Sequence, residues 1–350
     1  MNSKSITFLG DIAIPSCIEP DSDSVRDHIN NSIVIANIEG DLVNQDEKYY
    51  SKNVLFNHIS CLNYLSELNV SIGNLANNHI LDIHTSVNKT IKHLERNGIT
   101  TIGAGDNLGQ ASQIRTFEQR ETSYALLSFG WKVIGSFPAD IDSPGVNPLN
   151  PEYVLSMVKY AKQMHPNRRI IVQFHWNYDL ELHPQPMHRR LAFQAAECGA
   201  DIIVGHHPHV VSGIEIHDST PIIYSLGNWF IPHGIFFGGD LTYPEISLLQ
   251  LALEWSPTEG IMCHWYRYHP EDHTLRYIES EPSSDSKRVE ERTPYKGMSH
   301  DEYIDWFRKN RRVKSFLPIY RDPSQKRMNS MKDIYCRNRQ ILVDKMSMIR

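Results

Sequence analysis

The chain has 350 residues, 40% of them apolar and 22% charged, a profile that suits a soluble globular protein with room for one large α/β domain and additions. A net charge of -6 gives no general drive toward nucleic acid, and no stretch approaches the roughly eighteen apolar residues of a membrane span. The average conceals an asymmetry: from Asp285 onward 17 Lys and Arg stand against 9 Asp and Glu, leaving about +8 in the tail and -14 in the rest.

The five cysteines, Cys17, Cys61, Cys198, Cys263 and Cys336, are odd in number and contain no C-x-x-C pair, so reduced thiols are expected. Met1 to Ser5 leads straight into an apolar strand without the apolar core of a secretion signal, and a cytoplasmic location follows as the default expectation.

In chain order, Ile6 to Leu9 reads as a strand ended by Gly10-Asp11, where an aspartate serves either as a metal ligand or as a helix cap. Ser32 to Ala36 is a second strand, and alternation places Asn37 and Glu39 beyond it on one face. Cys61 to Leu68 has helical spacing, and Val70 to Gly73 leads into Asn74-Leu75-Ala76-Asn77-Asn78-His79, followed by Asp82. Val87 to Asn97 is an amphipathic helix stopped by Gly98, and Ile99 to Ile102 a strand. Gly103-Ala104-Gly105 lacks the third glycine or lysine of a nucleotide loop and reads as a plain turn. Strand character returns over Glu121 to Phe129 and around Val133-Ile134, then Pro and Gly punctuate a loop from Pro138 to Pro151.

A helix from Pro151 to about Met164 precedes the buried strand Arg169 to Phe174, which ends in His175-Trp176. Pro186 to Cys198 is helical, and after Gly199 the strand Ala200 to Val204 runs into Gly205-His206-His207-Pro208-His209. Three imidazoles within four residues are costly to bury uncharged and unpaired, and a divalent metal is the natural third party. Pro221 to Leu226 is a further strand, ending in Gly227-Asn228-Trp229. A polar cluster of ligand type has by then recurred at six strand ends, as expected where a sheet assembles a site from several loops.

Leu248 to Trp255 and Ile261 to Tyr268 form a β-hairpin with Leu275 to Ile278 as a third strand, which makes His264 and His269 surface residues rather than ligands. Glu281 to Arg288 has the composition of a linker, dividing residues 1–280 from a basic helical extension, 281–350, with helices around Tyr303 to Arg312 and Met331 to Met346. Within it, Arg308, Lys309, Arg311, Arg312 and Lys314 lie beside Trp306, Phe307 and Phe316. That segment could dock on the acidic body, stay solvated, or meet an anionic membrane or polymer.

The series Gly10-Asp11, Asn37-Ile38-Glu39, Ala76-Asn77-Asn78-His79 with Asp82, Gly98-Ile99 with Gly103-Ala104-Gly105, His175-Trp176, Gly199-Ala200-Asp201, Gly205-His206-His207-Pro208-His209 and Tyr224-Ser225-Leu226-Gly227-Asn228 resembles the CapA family. That family is named for poly-gamma-glutamate capsule synthesis and belongs to the calcineurin-like metallophosphoesterase superfamily. The resemblance covers roughly the first 230 residues. It implies an α/β fold, a metallophosphoesterase-like two-sheet sandwich flanked by helices, here with a helical C-terminal extension.

Carried over by residue, the resemblance makes Asp11, Glu39, Asn78, His175, His207 and His209 metal ligands, with Glu39 as the bridging carboxylate. His79 becomes the catalytic histidine that meets the leaving group, and Asn37, Asn77, Asp82, His206 and Asn228 form the layer behind them. Two positions depart from pattern: Ala13 stands where the wider superfamily has a histidine, and Asn177 where CapA proteins usually have glycine. Oxygen and imidazole ligands without thiolate suit one or two divalent ions, Mn, Fe or Zn. Such ions suit phosphate ester hydrolysis. The sequence thus supports a metal-dependent hydrolase linked to capsule, poly-gamma-glutamate or exopolysaccharide synthesis, acting on a small or polymeric anionic substrate. The alternative is a non-catalytic metal-binding accessory in polymer assembly.

Overall fold

A computed structural model describes residues 5–29 and 32–311 together with Met331, Ile334 and Tyr335. Two large sheets face each other. The first, eight-stranded among the described residues, runs Thr274–Pro282, Gly260–His269, Leu249–Ser256, Ile6–Ile12, Ile33–Ile38, Val70–Asn74 and Thr100–Ile102, with Asn228–Phe230 against the end of Ile6–Ile12. The second, six-stranded, runs Ile214–His217, Thr220–Ile223, Ile202–His206, Arg169–His175, Thr122–Gly130 and Arg115–Gln119. Parallel pairing fills the middle of the second sheet, with an antiparallel strand at each edge; the first is parallel from Ile6–Ile12 to its Thr100–Ile102 edge and antiparallel on the other side.

Period-two alternation sorts the strand residues into layers. Ile6, Phe8, Ile35, Ile72, Leu126, Ile171 and Val204 share one buried cluster between the sheets. Their neighbours Leu9, Val34 and Ala36 pack outward under the helices Cys61–Glu67 and Asn88–Arg96, alongside Leu65 and Leu94. On the other side, Leu127, Phe129, Val172 and Ile203 pack under Pro151–Met164 and Pro186–Glu197. Those two helices start as the sequence directs: Asn150 caps the first through Glu152 N and Tyr153 N, and each carries proline in its first turn. The two-sheet sandwich flanked by helices is therefore the fold.

The differences from expectation have local causes. Val133 and Ile134 lie in a single 3-10 turn, Lys132–Ile134, instead of a strand. Ala104-Gly105 is not a free turn but a two-residue strand paired with Gly145-Val146, inside the expected loop. His264 is buried, not a surface residue, because Thr274–Pro282 covers it; Nδ1 lies 2.7 Å from Ser280 Oγ and Nε2 3.0 Å from Glu254 Oε2. The stretch expected as a linker is also structured: the edge strand continues to Pro282 and a helix, Lys287–Arg292, begins soon after.

A longer helix, His300–Asn310, opens with a Ser299/Glu302 capping box and buries Tyr303 and Phe307 in the same cluster as Leu191 and Val172. The expected helix around Met331 to Met346 lies largely outside the described residues, as do Arg312, Lys314 and Phe316. Cys17, Cys61, Cys198 and Cys263 are free thiols. No helix among the described residues is long and apolar enough to cross a membrane.

Candidate metal centre

The alternation that builds the inner core also builds the site. Continuing two residues along each strand from an inner apolar residue leads from Ile35 to Asn37, Ile72 to Asn74, Leu126 to Ser128, Val204 to His206, and from Ile171 through Gln173 to His175. These polar side chains are buried. They satisfy one another: Ser128 Oγ donates to Asn74 Oδ1 at 2.6 Å, Asn74 Nδ2 to Asn37 Oδ1 at 3.2 Å, and Asn37 Nδ2 to both Asp11 Oδ1 at 2.8 Å and Glu39 Oε2 at 2.5 Å. One amide thus holds two buried carboxylates side by side.

Asp11 reaches this point through an irregularity. The strand Ile6–Ile12 continues past Gly10, but its register shifts between Leu9 and Asp11. A Cβ on Gly10 would stand 2.1 Å from Gly227 O, so only glycine lets the Asn228–Phe230 strand approach and set Asn228 opposite Asp11. Asn228 Oδ1 then lies 2.8 Å from His209 Nδ1, which is also 3.4 Å from Asp11 Oδ2. His206 Nδ1 is 3.5 Å from Asp11 Oδ1.

On the Glu39 side, Oε1 lies 3.5 Å from His175 Nε2 and 4.0 Å from His79 Nε2, and His175 Nε2 is 2.8 Å from Asn78 Oδ1. Asn77 ties the loops down: its amide donates to Ile38 O at 2.7 Å, and its oxygen accepts from Gly40 N at 3.1 Å and His79 N at 3.2 Å. Asp82 Oδ2 holds His79 Nδ1 at 2.6 Å.

The electrostatics carry the mark of crowded burial. Burial pushes Glu39 well above the usual carboxylate range, and the charge of Asp11 adds to it. Burial acts the same way on Asp11, but the adjacent imidazoles of His206, His209 and His175 hold it well below its ordinary value. Burial lowers His175 and His207, each with neighbouring histidines adding to the effect. For His209 burial is outweighed by Asp11, and the ring is raised.

Asp11, Glu39 and His175 each offer one ligand atom within 4.8 Å of the others, and so do Asp179, His207 and His209. Among the described residues Asp11 Oδ2, Glu39 Oε1, His175 Nδ1 and both ring nitrogens of His207 are buried without a hydrogen bond. Leaving such atoms bare costs about 1–3 kcal/mol each, more when charged. A divalent cation fits this donor set of carboxylate and imidazole.

Backbone strain marks the same place. His207 has φ 98° and His209 φ 56°, outside the ordinary range for residues with a Cβ. Asn177 has φ 74°, a conformation that glycine and asparagine tolerate better than other residues.

The sequence model of the family described as bacterial capsule synthesis protein PGA_cap matches residues 7–232. The chain belongs to the PGA_cap family. It is 30% identical over 245 residues to the PGA biosynthesis protein CapA of Bacillus subtilis, covering 66% of this chain and 64% of that protein. The capsule biosynthesis protein CapA of Bacillus anthracis is 29% identical over 247 residues, covering 66% and 60%. A probable polyglutamine synthesis accessory protein of Mycobacterium tuberculosis is 26% identical over 250 residues, covering 68% and 65%. The match thus spans less than two thirds of each of these relatives. Among solved structures, NAD nucleotidase of Haemophilus influenzae aligns over 95% of this chain and 60% of its own, with a TM-score of 0.42 and 12% identity.

Every site residue named from the sequence of this PGA_cap member falls in one connected cluster at the strand ends. Sequence reasoning missed Asp179, Gln173 and Ser128. Alternation from Ile171 and Leu126 could have found the last two, since both lie on the inner face. Asp179 gives no such signal. It sits in an irregular loop whose fold-back is set by Leu180 N donating to Pro208 O at 2.8 Å, a contact between segments distant in sequence.

Proposed function

We propose that this PGA_cap protein is a metal-dependent hydrolase of the metallophosphoesterase type, cleaving a phosphate ester in the synthesis of a capsule or related anionic polymer. The observation that carries the reading is the convergence of one ligand atom each from buried Asp11, Glu39 and His175 within 4.8 Å, with Asn78 Oδ1 2.8 Å from His175 Nε2, and with Asp11 Oδ2 and Glu39 Oε1 free of hydrogen bonds among the described residues. Asp11, Glu39, Asn78, His175, His207 and His209 would hold one or two ions of Mn, Fe or Zn. Bound there, such an ion would supply Lewis-acid chemistry toward a phosphoryl oxygen and would make a water acidic enough to attack near neutral pH.

The chain's own residues do the rest. Asn37 keeps the Asp11 and Glu39 oxygens in a fixed relation, so the geometry of the two carboxyl groups is set before substrate arrives. Asn228 orients His209 through Nδ1. His79 turns Nε2 toward Glu39, with Nδ1 anchored on Asp82, and is placed to give a proton to the departing oxygen. His79 is partly exposed, with 17% of its side chain open, which suits a group that must meet substrate.

A second reading, a metal-binding accessory without turnover, is favoured by the description of the mycobacterial relative as an accessory protein. A panel of phosphomonoesters and phosphodiesters assayed with Mn, Fe and Zn, with metal content measured on the same preparations, separates the two. Turnover that tracks bound metal supports the hydrolase. Bound metal without turnover on any ester supports the accessory, and absence of metal removes both.

A further inference from the structure

We propose that Asp179, His207 and His209 form a second, outer cation site, selective for a transition ion such as Mn²⁺ or Zn²⁺, whose carboxylate ligand is supplied by the strained loop after the His175 strand. The inference rests on the metal-centre reading above and adds a ligand to it. Position 13, where a histidine would otherwise be sought, cannot serve: Ala13 is sealed in an apolar cluster with Val43, Leu55, Phe56, Ile231 and Phe236.

The geometry supplies the replacement. Asp179 Oδ1 lies 3.3 Å from His207 Nε2 and 3.9 Å from His209 Nε2. Ligand atoms roughly 2.0–2.2 Å from one ion stand about 3 to 4.4 Å from each other, so these three can share one. His209 is prepared for it. Asn228 Oδ1 can only accept, so the proton of the neutral ring sits on Nδ1 and the lone pair of Nε2 faces Asp179. His207 has only 3% of its side chain exposed, and neither ring nitrogen has a hydrogen bond among the described residues. A buried imidazole with both nitrogens bare is unfavourable unless something binds it.

The loop is built to hold the carboxylate there. Asn177 at φ 74° and Leu180 at φ 59° turn the chain back on itself. Leu180 N donates to Pro208 O at 2.8 Å, locking the loop to the turn that carries the two histidines. Asn177 Nδ2 reaches His183 O at 3.1 Å, and Gln185 Nε2 donates to Asn177 Oδ1 at 3.2 Å, so the strained residue is braced from both sides. The two sites differ in access: Asp11, Glu39 and His175 are closed to solvent, whereas Asp179 is 53% exposed. The outer ion therefore faces solvent and is the exchangeable one, held more weakly than the inner ion.

Calorimetric titration of the metal-stripped full chain with Mn²⁺, checked by native mass spectrometry, tests this on wild type, Asp179→Asn and Asp179→Glu. Wild type is expected to take two ions of unequal affinity. Asp179→Asn is expected to keep the inner ion and weaken the outer one by about 10- to 100-fold, with Asp179→Glu recovering part of the loss. Asp179 is half exposed, so the variants are expected to fold, with circular dichroism as the check. Two ions with unchanged affinities in Asp179→Asn overturn this inference, as does a single wild-type ion that the variant keeps; the inner site survives either result. No ion bound by wild type overturns the inner site and this one together.

Discussion

His79 Nδ1 and Asp82 Oδ2 stand 2.6 Å apart, in a loop that Asn77 pins to the neighbouring strand end, while the opposite ring nitrogen of His79 faces Glu39 at 4.0 Å. The pair resembles a proton donor with its orienting carboxylate. In the hydrolase reading, His79→Ala lowers turnover by about 10²- to 10⁴-fold while metal content stays near normal. Asp82→Asn, which keeps the shape but weakens the anchor, is expected to give a smaller loss. Steady-state kinetics and elemental analysis on one preparation decide this, and full activity in His79→Ala removes the role proposed for it.

Replacing His175 or His209 acts on a different property. Each is buried beside a carboxylate oxygen of the centre, Glu39 Oε1 at 3.5 Å and Asp11 Oδ2 at 3.4 Å, so His175→Ala or His209→Ala is expected to lose metal and activity together. Chelation of the wild-type chain is expected to lower its melting temperature, because an ion bound only by the native state adds to stability. A melt that ignores both chelator and added Mn²⁺ would count against the centre.

Arg189 couples the C-terminal helices to the body. Its guanidinium forks onto Glu215 at 2.7 and 2.8 Å, donates to Met298 O at 3.0 Å and lies over the Tyr303 ring at 4.6 Å. Glu215 Oε2 also accepts from Tyr224 at 2.7 Å. Removing one partner strands the other charge, so Arg189→Met should cost about 3–5 kcal/mol in denaturant unfolding. Replacing Arg189 and Glu215 together with apolar residues should cost less.

His183 supplies a pH dependence away from the metal centre. Burial pushes its ring down to about 4, and it packs edge-on against Trp306 and Tyr295, with centroids at 4.7 and 5.6 Å. The folded value lies below the unfolded value near 6.5, so between the two the unfolded chain binds more protons. Its contribution to stability is whole above about 6.5, falls as the pH drops, and levels off below about 4. Melts of wild type and His183→Gln at pH 7 and pH 5 should show the acid loss shrinking in the variant; equal losses would exclude His183 as a source.

A chain ending at Asp285 tests the last segment. Tyr295, Tyr303 and Phe307 are buried against the helix Pro186–Glu197, and Tyr303 Oη donates to Pro184 O at 2.6 Å. The truncation uncovers apolar surface and is expected to lower both solubility and melting temperature. A monodisperse, equally stable truncated chain would show instead that residues beyond 285 form an appendage.

The sequence by itself determined the inner strands that lead to the site, the order of their polar ends and the residues those ends carry. Period-two alternation is a local property, and Asn37, His175 and His206 lie where it carries an inner-face strand into the site. Gly10 and Asn177 were also legible as special positions, though not why. Only the tertiary structure decided that Gly10 makes room for Gly227, that His264 is covered by an edge strand, and that Glu281 to Arg288 holds the end of a strand and the start of a helix. The same holds for Asp179, brought to His207 and His209 by one backbone hydrogen bond from Leu180 to Pro208. Such contacts join segments far apart in the chain, and spacing along a sequence carries no information about them until the sheets are assembled.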